Sequence, residues 1–234
     1  MKNKYVAVDC RLSEKCCRYL ENSGYTLIKI PCSEYLSEPV SAHPDMTLFG
    51  YGNKLFVSNE IAQLFDCCFD KTIVSREVAH GVKLGYPYDI EFNCAFVGKK
   101  LICNRKHTNS KILEAIAEDG CRIINVNQGY SKCSVCIVSE NAIITEDKGI
   151  ANACRKEGID VLLLETRGVK LDGYDYGFIG GSCGTLGDGR IVFAGCIENH
   201  AEHKSISDFC VKYGKTPVSM SDEPLYDVGS IIEL

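Results

Sequence analysis

The chain has 234 residues, of which 45% are hydrophobic and 24% are charged, and its formal net charge is −5. These proportions are ordinary for a globular protein. The longest basic runs are Lys99–Lys100 and Arg105–Lys106, so neither nucleic acid nor an anionic membrane is expected as a partner.

Export and membrane insertion are not expected either. No stretch approaches the roughly 20 apolar residues that span a bilayer, and the first apolar run meets Asp9 too soon for a signal peptide. The chain has 15 cysteines, several within apolar strand patterns. We therefore expect a cytoplasmic protein whose cysteines are mainly reduced and buried.

Four hairpins can be predicted in chain order, each with an apolar strand, a turn of Gly, Asn, Asp or Lys, and a second apolar strand. They span residues 45–57, 93–103, 134–144 and 182–193. Their first residues are 48, 41 and 48 positions apart. A period of about 40 to 50 residues is typical of propeller-like arrays.

A helix and a further strand follow each of the last three hairpins. The predicted helices are 109–119, 148–157 and 205–213, and a glycine ends each of them. The strands after them are predicted at 121–126, 159–164 and 216–219.

The two ends of the chain complete the pattern. Residues 227–232 resemble the first strand of another hairpin, and residues 4–8 resemble its second strand, followed by a helix at 13–22 and a strand at 25–30. We therefore predict an α/β fold, a closed five-unit ββαβ propeller that forms a single domain over residues 1–234. Its fifth unit uses both termini, which removes exposed sheet edges.

Five such units in a ring resemble the pentein, or guanidino-modifying-enzyme, superfamily. The resemblance implies a bacterial branch of that superfamily. That superfamily includes arginine deiminases, dimethylarginine hydrolases, amidinotransferases, agmatine deiminases and a translation factor that is not an enzyme. The resemblance implies a Cys nucleophile near the chain end and a His at the start of the preceding hairpin. The matching segments, 226–230 and 179–182, contain neither residue. Standard guanidine-hydrolase catalysis is therefore not expected.

The hairpin starts are expected to converge on a central channel. Small residues recur there, at Thr47, Ala95, Cys136, Gly184 and Ser230. Carboxylates and polar groups near them suit a small polar or cationic ligand of the guanidino or amino type. The predicted ligand-binding residues are Asp45, Glu91, Asn93, Ser134, Asp175, Ser182, Asp227 and Ser230. The alternative is a tightly packed axis without a ligand.

Cys133 and Cys136 form a CxxC motif, but no second pair of ligands suggests a structural zinc site. In an extended segment the two side chains would point to opposite faces. Core packing is the simpler interpretation. Cys136, with Lys132 nearby to favour the thiolate, is the candidate for a displaced nucleophile.

His200 and His203 form the only closely spaced histidine pair. They are candidates for proton transfer to Cys136, or for a metal together with Glu198 or Glu202. The alternative is a solvated helix start capped by Asn199 or Ser205. The enzymatic alternative is therefore a divergent Cys-dependent hydrolase or transferase that uses Cys136 with His200 or His203. A protein-interaction scaffold is the third possibility, and no metal or cofactor is assigned.

Overall fold

A mixed α/β fold of small sheets is seen in the computed structural model, which describes residues 4–66, 75–79 and 83–234. Five three-stranded sheets are formed in these ranges. The strands are β1 Lys4–Asp9, β2 Tyr25–Ile30, β3 Leu48–Tyr51, β4 Lys54–Ser58, β5 Ser75–Ala79, β6 Ala95–Val97, β7 Lys100–Cys103, β8 Arg122–Asn125, β9 Cys136–Ser139, β10 Ala142–Thr145, β11 Asp160–Leu163, β12 Cys183–Thr185, β13 Arg190–Phe193, β14 Thr216–Ser219 and β15 Ile232–Glu233. The helices are α1 Glu14–Asn22, α2 Pro44–Thr47, α3 Ser110–Glu118, α4 Lys148–Lys156 and α5 His203–Lys212.

All five sheets have the same internal arrangement. An antiparallel pair is followed by a parallel third strand, as in β6–β7–β8. In the sheet β15–β1–β2 the antiparallel partner comes from the far end of the chain, with Ala7 opposite Ile232. Strands from both ends of the chain therefore share one sheet, as the sequence pattern predicts.

Local sequence explains where the long helices begin. Asn109 precedes α3 and its Oδ1 accepts a hydrogen bond from the backbone N–H of Lys111 (3.1 Å). Asp147 precedes α4 and accepts from the backbone N–H of Ile150 (2.7 Å). Such caps satisfy amide groups that have no partner within the helix. Among the described helices, none has the length and apolar character that crossing a bilayer requires.

The hairpins begin later than the sequence predicts. Asp45 lies in the short helix α2, where Pro44 occupies the first turn with a φ suited to a helix. Ser134 and Ser182 lie in turns that precede their strands. At the chain end β15 is only two residues long, because Gly229 (φ 63°) and Ser230 (φ 72°) have left-handed backbone that a strand does not allow.

Five apolar cores each join residues from two different sheets. Burial of such side chains contributes about 1.5–3 kcal/mol per residue. Representative pairs within one core are Phe56 with Leu101, Ile102 with Ile143, Ile144 with Ile191, Val192 with Val6, and Ala7 with Val57. The last pair joins the sheet of both termini to the first hairpin, and the segments before the hairpins lie among these cores.

Candidate functional site

Six polar side chains are buried together where the segments before the hairpins meet. We call them the central cluster, and each is at most 3% exposed. Its members are His43, Asp45, Asn93, Cys133, Asp227 and Ser230. Buried polar groups cost free energy unless they are paired, so the partners of each one indicate what the site can hold.

Asp45 is the acceptor that connects the cluster. Its Oδ1 accepts a hydrogen bond from Asn93 Nδ2 (3.1 Å). Its Oδ2 accepts from Cys133 Sγ (3.0 Å) and lies within hydrogen-bond distance of Ser230 Oγ (2.8 Å). The carboxylate therefore joins the segments that precede three different sheets.

Asn93 fixes the turn that carries Cys133. Its Oδ1 accepts hydrogen bonds from the backbone N–H groups of Lys132 (2.7 Å) and Cys133 (3.3 Å). Its Nδ2 also contacts Cys133 Sγ at 3.3 Å. Burial, with Asp45 and Asp227 nearby, raises the pKa of Cys133, so this side chain is a thiol that donates to Asp45.

Asp227 is held by two backbone N–H groups. Its Oδ2 accepts from the N–H of Phe178 (2.8 Å), and its Oδ1 accepts from the N–H of Gly229 (3.0 Å). A Cβ at Gly181 would lie 2.0 Å from Oδ1, so only glycine permits this approach. Burial raises the pKa of Asp227, and the neighbouring His43 opposes that shift.

His43 is the least satisfied member of the cluster. Its Nδ1 has no hydrogen-bond partner and lies 3.8 Å from Asp227 Oδ1. A Cβ at Gly229 would lie 2.1 Å from the Cβ of His43, and Gly229 also has a positive φ. The imidazole is thus held in a tight site with one ring nitrogen free to bind.

Ser230 has a left-handed backbone conformation (φ 72°), which is unfavourable for most residues other than glycine. Its hydroxyl accepts a hydrogen bond from Lys132 Nζ (2.9 Å). Its single hydrogen points either to Asp45 Oδ2 or to the carbonyl of Gly180 (3.0 Å). Backbone strain of this kind is maintained only where surrounding contacts fix it, and it is common at functional sites.

A cavity of about 210 Å³ leads to the cluster. His43, Cys133 and Asp227 lie at its base, which is buried, and Asp175 lies at its exposed rim. Four aromatic rings form much of its wall, at Tyr130, Tyr174, Tyr176 and Phe178. We call this space the aromatic cavity.

The aromatic wall already holds one guanidinium group of the protein. The Cζ atom of Arg167 lies 3.5 Å from the centre of the Tyr176 ring. Tyr176 in turn contacts Phe178 with ring centres 5.9 Å apart, and Phe178 contacts Tyr130 at 6.4 Å. These ring faces are suited to cations, which the ring quadrupole attracts.

Two other cavities lie close to the cluster. One of about 240 Å³ is lined by Lys132 and Glu233 among others, so Lys132 reaches Ser230 from that space. The larger, of about 790 Å³, includes Arg11, Lys170 and Asp227 in its lining. Its charges have both signs, and the Arg11 guanidinium is already paired with Asp9 at 2.7 Å.

The predicted ligand-binding residues fall into two groups. Asp45, Asn93, Asp227 and Ser230 are brought together in the central cluster, and Asp175 lies at the cavity rim. The other three lie outside the central cluster. Glu91 accepts from Asn109 (3.0 Å), Ser182 donates to the carbonyl of Ile179 (2.9 Å), and Ser134 is buried with no partner for its hydroxyl.

Cys136 and the two histidines lie apart from the aromatic cavity. Cys136 is in strand β9, where a hydrogen bond with Cys183 and burial raise its pKa well above the usual value. His200 has its ring against Gly168, and burial lowers its pKa. His203 Nδ1 lies 3.2 Å from the carbonyl of His200. Catalysis by Cys136 with either histidine remains a prediction that these contacts do not favour.

Sequence reasoning missed His43 and assigned Cys133 only to core packing. One signal was available, because both residues come just before a predicted hairpin, the region in which ligand-binding residues were expected. The side of the turn on which each would point could not be read from the sequence.

Several solved structures are similar to this chain in fold. A DDAH from Pseudomonas aeruginosa in complex with citrulline matches with a TM-score of 0.55 and 6% identity, over 95% of this chain and 93% of that chain. An agmatine deiminase from C. jejuni with substrate bound matches at 0.54 and 10% identity, over 99% and 93%. A dimethylarginine dimethylaminohydrolase adduct with S-methyl-L-thiocitrulline matches at 0.55 and 8% identity, over 95% and 93%.

These structures are members of the pentein superfamily, so the resemblance that the sequence pattern indicates is confirmed at the level of fold. No curated protein matches the chain by sequence. One family model covers residues 7–232, nearly the whole chain, and is described as a family of unknown function. The protein therefore belongs to that family, DUF6873.

Proposed function

We propose that the protein binds a small organic cation, with an amino or guanidino group, in the aromatic cavity, and that it does so without standard guanidine-hydrolase catalysis. The observation that carries this proposal is the position of Asp227. This carboxylate is 1% exposed and lies at the base of a cavity whose wall is largely aromatic.

The charge of Asp227 is poorly compensated within the protein. Its hydrogen bonds come from two backbone N–H groups, and the neighbouring His43 lies at 3.8 Å. A buried carboxylate without a cationic partner is unfavourable. An ammonium or guanidinium group at the cavity base would supply the opposite charge, and Asp175 at the rim would add to the attraction.

The aromatic wall favours the same class of ligand. Cation–π attraction is worth about 0.5–2 kcal/mol, with the larger values at desolvated sites. Arg167 on Tyr176 is an example of this contact within the chain itself. The similar DDAH structure holds citrulline, and the agmatine deiminase structure holds its substrate. A small ligand with a guanidino group therefore agrees with the aromatic and acidic lining of the cavity.

Two features support binding without the usual reaction. Gly229 and Ser230 stand where the superfamily keeps its Cys, and the segment 179–182 contains no His. Cys133, the thiol that does reach the cavity, donates its hydrogen to Asp45, and burial raises its pKa. A thiol in this state is a weak nucleophile.

The arrangement of the five sheets supports a central position for this site. Each apolar core joins two sheets, and the pair Ala7 and Val57 joins the last sheet to the first. We propose that the sheets form one closed ring over residues 1–234, with the central cluster on its axis. Such an arrangement would make the aromatic cavity one mouth of a channel.

Isothermal titration calorimetry tests the proposal. Arginine, agmatine and putrescine should bind the protein in buffer with a chelator, and citrulline, the neutral counterpart of arginine, should bind more weakly than arginine. Asp227→Asn should weaken binding of the cations at least tenfold, because it removes the buried negative charge. Asp175→Asn should weaken it by a smaller factor, since the rim is exposed to solvent.

The matched control is Asp222→Asn. Asp222 is paired with Lys15 at the surface, with its side chain 84% exposed, and does not line the aromatic cavity. Its removal should leave affinity unchanged, and circular dichroism should show that all three variants are folded. Equal affinity in wild type and both cavity variants, or no binding of any cation by wild type, would reject the proposal.

A further inference from the structure

We propose that His43, Asp45 and Cys133 form a binding site for a divalent transition metal ion of the zinc type, next to the base of the aromatic cavity, which His43 and Cys133 line. One ligand atom from each residue lies within 4.8 Å of the other two. All three residues are buried. Among the described parts of the chain this is the one group of three such residues within that distance.

The donor set indicates the kind of metal. Imidazole nitrogen, thiolate sulfur and carboxylate oxygen are the ligands of Zn²⁺ and its neighbours, whereas Mg²⁺ and Ca²⁺ require oxygen. Donor atoms around a tetrahedral zinc ion lie about 3.5 Å apart, as follows from metal–ligand bonds of about 2.0–2.3 Å. The ligand atoms of the three residues lie up to 4.8 Å apart, so their side chains would have to move by about 1 Å to surround an ion.

The unpartnered nitrogen of His43 is an independent observation that points to a ligand. The residue is 1% exposed, and its Nδ1 has no hydrogen-bond partner, since the nearest carboxylate oxygen, Asp227 Oδ1, lies 3.8 Å away. Buried polar atoms are rarely left in this state, because the missing interaction costs free energy. A metal ion bonded to this nitrogen would satisfy it.

The surroundings of the three residues resemble the outer shell of a metal site. Asn93 donates to Asp45 Oδ1 and holds the backbone N–H of Cys133, so it orients two of the ligands. Ser230 Oγ lies 2.8 Å from Asp45 Oδ2. Outer-shell partners of this kind fix ligand geometry and raise metal affinity.

The charge and proton balance is simple. The ion takes the place of the thiol hydrogen that Cys133 now donates to Asp45, and one proton is released to solvent for each ion bound. The ion, one thiolate and one carboxylate then sum to zero charge. Asp227 is not one of the three ligands, and a fourth metal position would be left for water or a ligand.

Cobalt(II) is the spectroscopic probe for this site. Chelator-treated, reduced protein should bind about one equivalent of Co²⁺, with a thiolate-to-cobalt charge-transfer band and the intense visible bands of tetrahedral coordination. Zn²⁺ should displace it. Cys133→Ala should abolish the charge-transfer band and weaken binding at least tenfold, and His43→Gln should weaken it by a similar factor.

Cys196→Ala is the matched control, because Cys196 also contacts a carboxylate, Glu198 Oε2 at 3.3 Å. This variant should keep the charge-transfer band and the single equivalent. Wild-type protein without a charge-transfer band, or a band that survives in Cys133→Ala and disappears in Cys196→Ala, would overturn the assignment. Failure here is distinct from failure of the proposed cation binding, which is measured with a chelator present.

Discussion

Glu146 is a single residue that should make the stability of the protein depend on pH. Its side chain is buried, with one oxygen accepting from the N–H of Ile179 (3.2 Å) and the other without a partner. Burial raises its pKa from 4.5 to about 7, and Arg167 opposes the shift. The folded protein therefore keeps a proton that the unfolded chain loses, and stability is lost as pH rises between these two values.

Glu146→Gln should remove this dependence. Relative to the variant, wild-type protein should lose about 3 kcal/mol of unfolding free energy between pH 4.5 and pH 7.5, because one pKa unit corresponds to about 1.4 kcal/mol. Urea unfolding at a series of pH values measures the difference. Glu165→Gln, at an exposed position, is the control and should run parallel to wild type. Parallel curves for Glu146→Gln as well would show that the carboxylate is not perturbed.

The limits of prediction from sequence are clearest at the scale of residues. Asp45, Asn93, Asp227 and Ser230 could be assigned to the centre because each stands at the start of a hairpin. His43 could not, since its position depends on a turn before α2 and on close contact with Gly229, which is distant in sequence. Long-range contacts of this kind leave no periodic signal in the sequence.

The helices and strands could be predicted from local sequence more accurately than the candidate site could. Helices predicted at 109–119 and 148–157 are observed as α3 and α4, each shorter by one or two residues. Periodic apolar residues and terminal glycines were sufficient for these. The hairpin starts were wrong by one to five residues. The two largest errors, at 45 and 227, arise because α2 and the left-handed backbone at 229–230 replace the expected strand.

Asp147 provides a test at the scale of a helix. Its Oδ1 accepts from the N–H of Ile150 at the start of α4, and Asp147→Ala should lower the free energy of unfolding by about 1 kcal/mol. Asp147→Ser should restore most of this loss, since serine also caps helices. Urea unfolding at pH 7 is the measurement. Equal losses in the alanine and serine variants would mean that the stabilisation does not come from the cap.

The stability of the whole molecule depends on contacts between sheets whose strands are far apart in the sequence. Ile231 is 2% exposed and packs in the core shared by Val6 and Val192. Its N–H donates to the carbonyl of Cys183 (3.0 Å), which ties the chain end to β12. The sequence pattern predicted that both termini meet in one sheet, but not which side chains fill the space between sheets, since that depends on three-dimensional packing.

Ile231→Ala should therefore weaken the whole structure and not only the chain end. We expect a loss of about 2–5 kcal/mol from the buried cavity that it creates. Tyrosine emission and far-ultraviolet circular dichroism should report one shared urea transition at a lower midpoint. Val211→Ala, at a side chain that is 65% exposed, should change stability by less than about 0.5 kcal/mol. Two separate transitions in wild type would argue against a single closed unit.

The pairing of β15 with β1 also sets an order of events during synthesis. More than two hundred residues separate the two strands, and β1 leaves the ribosome long before its partner. Closing so long a loop carries a large entropic cost, and folds rich in such contacts form slowly. Until β15 arrives, β1 presents an open edge to the surroundings. At that edge a nascent chain is open to pairing with another copy, and a chaperone that covers β1 would prevent it.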